Sequence, residues 1–204
     1  MNCGAIKQKL AASGAGEISE TEYARKGFAL DVRVAPEQLI AAVSVLDAEG
    51  FFIEAVTGVD WLGEQAALRK EAEAKASAEA KAKAEAAAAA GEEPPPAEPS
   101  AEPGELAEDA LEAVYDFNHY ESLCRVTVRT RVDRSKPEVP TISQIYPGAN
   151  WHERETHDFF GIIFVGHPYL VPLLLPEDAD FHPLLKDFRP LAPLPKVKPM
   201  KPLS

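Results

Sequence analysis

Residues 64–112 contain almost nothing that can be buried, and that constrains how the rest of the chain folds. The stretch passes from K-E-A-E-A-K-A-S-A-E-A-K-A-K-A-E-A-A-A-A-A into G-E-E-P-P-P-A-E-P-S-A-E-P-G, with hardly a large apolar side chain. Ala, Glu and Lys are strong helix formers, so Gln65 to Ala90 reads as a solvated helix about 40 Å long with no apolar stripe. The Pro/Glu run after it cannot offset its chain entropy by burial and reads as disordered. The segment is therefore an insertion, either a tolerated solvated arm or a partner-binding arm. Any core has to come from the flanks, residues 21–63 and 113–165, between a flexible N-terminus (1–20) and an extended, Pro-rich C-terminal tail (166–204) that reads as a partner-binding arm.

The flanks carry the patterns of one α+β domain: a small mixed or antiparallel sheet with helices on one face. In F-A-L-D-V-R-V, Phe28, Leu30, Val32 and Val34 alternate with Asp31 and Arg33, as in a half-buried strand. A helix follows, with Pro36 in its first turn, Leu39, Ile40, Val43 and Leu46 at helical spacing, and Gly50 to close it. Phe51–Val59 and Ala113–His119 read as strands that pair, with the insertion as an oversized hairpin loop. In Leu123–Val132, Cys124, Val126, Val128 and Val132 face inward while Arg125, Arg129 and Arg131 face outward, onto solvent or an acidic partner.

The net charge of −12 argues against a nucleic-acid binder, although 13 acidic and 5 basic residues place −8 of it in the insertion. No apolar run approaches the roughly 20 residues of a membrane-spanning helix. Cys3 and Cys124 lie far apart and form no C-x-x-C pair, so neither a disulfide framework nor a cysteine-ligated metal or cluster is indicated, and a reducing compartment fits.

The segment W-H-E-R-E-T-H-D-F-F-G superficially resembles a zinc-hydrolase helix. However, His152 and His157 are five residues apart, about 140° off one another's face, where the His-Glu-x-x-His site needs a spacing of four. The zinc reading is disfavoured accordingly. Thr141 with Gln144 suggests a capping box for a short turn at Ile142–Tyr146. Asn150 with Glu153 suggests another cap for a helix over Trp151–Phe160, ending at Gly161. On that helix Arg154 and Asp158 are spaced as an i,i+4 pair, and Trp151, Glu155 and Phe159 share another face.

The ungapped run A-N-W-H-E-R-E-T-H-D-F-F-G-I-I-F-V-G-H-P-Y-L closely resembles the signature of the 30 kDa subunit family of respiratory complex I. It carries the match at Glu153, Arg154, Glu155, His157, Asp158, Phe160, Gly161, Ile162, Phe164, Gly166, His167, Pro168 and Leu170. P-T-I-S-Q-I-Y-P-G before it and H-P-L-L-K-D-F (His182–Phe188) after it are similar to the family as well. The resemblance implies a non-catalytic assembly subunit, without cofactor or metal of its own, in a complex that couples electron transfer to proton translocation. Iron–sulfur clusters, flavin or nickel–iron would lie in partner subunits. Those partners would be a hydrogenase-large-subunit-like (49 kDa-type) subunit and a cluster-bearing small subunit, with the assembly peripheral to the cytoplasmic face of the cell membrane. Implied partner-binding residues are Trp151, Glu153, Arg154, Glu155, Asp158, Phe160, Gly161, Gly166, His167, Pro168, Lys186 and Asp187.

There are departures from the family pattern. Tyr169-Leu170-Val171-Pro172 replaces the usual H-P-D-L continuation with its two arginines, and Leu185 stands where an arginine usually precedes K-D-F. Leu173 to Asp178 is more similar to relatives in membrane-bound energy-converting nickel–iron hydrogenases, which is the alternative assembly. In either, the helix charges are expected to be exposed in the free chain and covered by the large subunit, so that Arg154→Ala would barely change the stability of the free chain.

Overall fold

Period-two patterning in both flanks produces a single sheet to which each contributes strands. The computed structural model describes residues 3–63 and 110–189. In chain order these form α1 (Cys3–Ala12), β1 (Glu17–Glu20), the single turn α2 (Tyr23–Lys26), β2 (Leu30–Val34), α3 (Pro36–Ala48), β3 (Phe52–Asp60), β4 (Ala110–His119), β5 (Cys124–Asp133), β6 (Glu138–Pro140), α4 (Ala149–Phe160) and β7 (Ile163–Val165). The main sheet has the order β1-β2-β5-β4-β3. Strand β2 runs parallel to β5, and the other neighbours are antiparallel. A second, two-stranded sheet pairs β6 with β7 in parallel.

One face of the main sheet builds the core. The ladder sets Val126 opposite Phe117 and Val128 opposite Tyr115, and these side chains are buried beneath Ile6 and Leu10 of α1 and Leu39, Ala42, Val43 and Leu46 of α3. The α+β class, the mixed sheet and the helices on one face are thus as expected. Gly50, at φ +80°, ends α3 in a left-handed conformation that a side chain would strain. Ile40 differs from expectation: it lies one position off the buried stripe and stays 37% exposed.

Three further features depart from the sequence reading. The N-terminal residues are structured: Ile6 and Leu10, four apart, place one face of α1 on the core, and β1 pairs with β2 from Glu17↔Arg33 to Glu20↔Leu30. The E-I-S-E strand, with only one apolar residue, carries no alternation to read. Second, Cys3 and Cys124 are joined by a disulfide across 121 residues of sequence, contrary to the inference drawn from their separation. Docking of α1 brings them together, with their Cα atoms 5.9 Å apart.

Third, the outward arginines of β5 are half-buried and pair with carboxylates of their own chain. Arg129 Nε donates to Asp31 at 2.9 Å, Arg131 Nε donates to the fully buried Glu112 at 2.7 Å, and Arg125 pairs with Glu54 at 2.6 Å. Arg131 also stacks on Trp61, 4.3 Å from its ring centre. The carboxylates come from three other strands, so the charges cross-link the sheet within one chain.

Strands β3 and β4 pair from Phe52↔Asn118 to Asp60↔Leu111, the hairpin expected from sequence. The second strand starts at Ala110, earlier than the expected residue 113, and Ala110, Leu111 and Glu112 are all buried. The helix expected at Gln65–Ala90 lies outside the described residues. Because the Trp61 N–H donates to the Ala110 carbonyl at 3.0 Å, the two ends of the insertion leave the sheet side by side. Replacing residues 64–109 with a short Gly-containing turn should therefore keep the melting temperature within about 3 °C of the parent, since the ladder that closes the loop is untouched. A thermal melt checks this, and a cooperative transition lost or lowered by more than that would show that the segment supports the fold.

Candidate functional site

Helix α4 carries the motif residues. It starts at Ala149, so Asn150 lies inside the helix instead of capping it, and it ends at Gly161 with φ +73°. The helix lies on β3. Thr156 Oγ1 donates to the Val56 carbonyl at 3.3 Å, and the Phe160 ring comes so close to Gly58 that a Cβ there would sit 2.5 Å from it. A side chain at residue 58 would lift the helix off the sheet.

The motif charges do not pair with each other, and they are buried in the free chain. Glu153 is fully buried: its carboxylate accepts from the Thr141 hydroxyl and, at 2.8 Å, from the Ile142 N–H. Thr141 thus serves Glu153 and Ser143, not the capping box suggested with Gln144. Arg154 and Asp158 reach instead to the segment after β7. Arg154 Nε donates to the Val171 carbonyl at 3.0 Å and Nη2 to the Pro172 carbonyl at 3.0 Å. Asp158 Oδ2 accepts from the N–H groups of Leu173 and Leu174 at 2.8 Å and of Leu175 at 3.3 Å. The expected i,i+4 surface pair is therefore corrected to a two-handed grip, in which a cation takes successive carbonyls and an anion takes the amides that follow.

Beyond the grip, the described part of the tail folds back as a strap. His182 Nδ1 donates to the Asp158 carbonyl at 2.8 Å, and its ring fills the space that a side chain on Gly161 would need. The Leu184 N–H donates to the Phe159 carbonyl at 3.1 Å. Lys186, through its backbone N–H, donates to the buried Asp60 at 2.8 Å, and Asp187 accepts from Arg134 Nη1 at 3.1 Å while Arg134 also reaches Asp60 at 3.2 Å. Residues 190–204 lie outside the described residues. Sequence reasoning missed Thr141, Asp60 and Arg134, for which no local pattern exists, because their partners arrive from 12 to 126 positions away.

The remaining motif residues divide into internal and exposed groups. His167 sits against Glu153: its Nε2 donates to the Asn150 carbonyl at 3.2 Å, and its Nδ1 accepts the Tyr169 N–H at 3.1 Å. Gly166 takes φ +85°, Phe160 and Glu155 are half-buried, and Pro168 is exposed. Trp151 and Tyr169 are 61% and 62% exposed and flank the Arg154 guanidinium, whose centre lies 5.3 and 5.2 Å from their rings. His152 and His157 do not converge. His157 Nδ1 donates to the Ile162 carbonyl at 2.9 Å, and among the described residues no group of three or more His, Cys, Asp or Glu side chains gathers in metal-binding geometry.

Burial lifts the Glu153 carboxyl to about 7, against the hydrogen bonds from Thr141 and Ile142 that favour its charged form. It also raises the fully buried Tyr115 hydroxyl, helped by the Glu153 charge. Burial lowers His167, opposed by the Asn150 carbonyl and aided by the charges of Arg154 and His157. At Asp158 burial acts upward, but the three backbone N–H donors outweigh it and hold the carboxyl below its ordinary range.

A model of the family described as respiratory-chain NADH dehydrogenase, 30 Kd subunit, matches residues 32–193. The chain belongs to this family. Two of its relatives are known as the C subunit of NADH-quinone oxidoreductase. That of a Roseiflexus species is 48% identical over 80 residues, 39% of this chain and 46% of the relative. That of Mycobacterium tuberculosis is 44% identical over 85 residues, 42% of this chain and 36% of the relative. The match thus spans less than half the length of these curated relatives. Among solved structures, the trypsin-resistant fragment of Nqo5 aligns with TM-score 0.52 and 23% identity, over 83% of this chain and all of that one. A chain of the membrane-bound sulfane sulfur reductase, an archaeal respiratory membrane complex, aligns with TM-score 0.61 and 22% identity, over 97% and 95% of the two chains. At these identities the structures establish the family's fold for this chain.

The grip and the buried carboxyl can each be tested by substitution. Arg154→Ala should lower the stability of the free chain by about 2–3 kcal/mol, because the Val171 and Pro172 carbonyls lose a charged donor and one side of the grip on the strap is gone, a fall of roughly 5–10 °C in Tm. An unchanged melt would mean that the strap is held without Arg154. For Glu153, the folded state keeps a proton that the unfolded chain releases near its ordinary 4.5, so its contribution to stability declines as pH rises from about 4.5 to about 7. His167 acts in the opposite direction over a neighbouring range, so the comparison with Glu153→Gln isolates the carboxyl. In urea titrations the variant should gain on the parent by on the order of 3 kcal/mol between pH 5 and 8. Parallel pH profiles would show that Glu153 ionises as easily in the fold as outside it.

Proposed function

We propose that this chain is a non-catalytic assembly subunit of the peripheral arm of a complex-I-type NADH:quinone oxidoreductase, in which electron transfer is coupled to proton translocation. The observation that carries this reading is the use to which the family motif is put. Glu153, Arg154 and Asp158 are spent on backbone groups of their own chain, which leaves no activated nucleophile and no open metal-binding cluster on this helix among the described residues. What the motif region offers outward is apolar: Trp151, Tyr169, Val165, Leu174 and Leu184 are all more than half exposed. Exposed aromatic and aliphatic side chains on a rigid support are the usual anchors of a protein interface.

In this reading the anchors meet the 49 kDa-type large subunit and a cluster-bearing small subunit. Redox cofactors belong to those partners, and the chain is peripheral to the cytoplasmic face of the membrane. No helix among the described residues is long and apolar enough to cross a membrane. Trp151→Ala should leave the melt of the free chain within about 1 kcal/mol of the parent, the usual value of an exposed cation–π contact. Its recovery with iron–sulfur subunits from solubilised membranes should fall about tenfold or more, since truncated aromatic anchors commonly cost 2 kcal/mol or more. A normal yield of the complex, or a parent chain that brings down no iron–sulfur subunit, would remove the proposal.

A further inference from the structure

The Cys3–Cys124 bond lies apart from the motif region and from everything the proposed function uses. It ties the first residue of α1 to the first residue of β5. Cys124 is fully buried, whereas Cys3, at the start of α1, is only partly buried. The turn leading into Cys124 is itself open: Tyr120 and Leu123 are 83% and 79% exposed.

The other ties of α1 are few. It is ten residues long, a length at which an isolated helix is marginal in water. Only Ile6 and Leu10 are buried in the core. Two of its lysines form ion pairs, Lys7 with the exposed Glu20, a pair of the kind that contributes little, and Lys9 with Glu49, whose side chain is 13% exposed. The bond also closes a loop that contains the whole chain from α1 to β5, so it restricts the freedom of α1 more than either ion pair does.

We propose that Cys3 and Cys124 form a reversible dithiol–disulfide couple that locks α1 onto the core sheet, making the N-terminal helix the redox-responsive element of the domain. The reductant is a dithiol. One of its thiolates attacks the sulfur of Cys3, the less buried of the two residues, the Cys3–Cys124 bond breaks, and the Cys124 thiolate leaves and takes up a proton. The second thiol of the reductant then displaces Cys3 from the mixed disulfide. In sum, two electrons and two protons pass to the protein, and the reductant becomes a disulfide. With both thiols free, α1 loses its covalent tie and is held by non-covalent contacts such as those of Ile6 and Leu10, and it opens more often.

The test is amide hydrogen exchange on the full chain, air-oxidised and then treated with dithiothreitol, alongside Cys3→Ser and Cys3→Ala, with free thiols counted in each state. In the oxidised parent no thiol should react under denaturing conditions, and amides within residues 3–12 should exchange at least about tenfold more slowly than after reduction. Both variants should match the reduced parent with and without dithiothreitol, while the amides of β4 and β5 stay protected in every sample. Two reactive thiols in the oxidised parent, or α1 exchange that is the same in both states, would overturn the proposal. So would variants that exchange like the oxidised parent.

Discussion

Arg154 and Asp158 hold neighbouring pieces of one backbone segment by opposite polarities. The rest of the motif region depends on that grip. A guanidinium satisfies the carbonyls of residues 171 and 172, and a carboxylate satisfies the amides of 173–175, so a stretch with no ladder partner has its polar groups met by two side chains one helical turn apart. Each charge is partly shielded from water, and each is matched by several backbone dipoles in place of a single counter-ion. Placing either in a buried site without the segment would leave an uncompensated charge, so helix and strap stabilise each other.

The same solution recurs across the fold. Asp60 at the end of β3 accepts the Leu62 and Lys186 amides and faces Arg134, fixing the far end of the strap to the main sheet. Glu153 takes the Ile142 amide and the Thr141 hydroxyl, which fixes the loop that leads into α4. On the opposite face of the sheet, Glu112 and Asp31 receive the arginines of β5. The buried acidic residues Asp31, Asp60, Glu112, Glu153 and Asp158 are thus organising elements of the fold, and apolar side chains around Trp151 and Tyr169 are left exposed on that frame.

This arrangement bears on how family membership translates into function. The most specific residues of the signature hold the architecture, so possession of the signature points to a shared shape before it points to a shared chemistry. A subunit whose task is to present a defined surface to its neighbours needs such residues as much as an enzyme needs its catalytic groups. The cost of losing one is expected to appear first as stability and only then as assembly.

Strands β2 to β5, the helix over Pro36–Ala48, the hairpin that carries the insertion and the helix that ends at Gly161 were legible in the sequence, whereas the short β6 and β7 were not. Each legible element rests on local rules: the two-residue period of β2 and β5, the apolar runs of β3 and β4, the helical spacing of Leu39, Val43 and Leu46, and the left-handed glycines. The family, too, could be read from an ungapped run of residues. Less legible were α1 and β1, whose few apolar residues gave weak periodicity. What only the tertiary structure decided was which groups meet. Arg154 and Asp158 stand at the spacing of an ion pair, yet they turn to residues 171–175; Arg125, Arg129 and Arg131 look solvated, yet they meet Glu54, Asp31 and Glu112; Cys3 finds Cys124. The reason is physical. Periodicity and turn preference act over a few bonds and are written in neighbouring residues, whereas the partner of a charge or a thiol is whichever group the completed fold brings beside it.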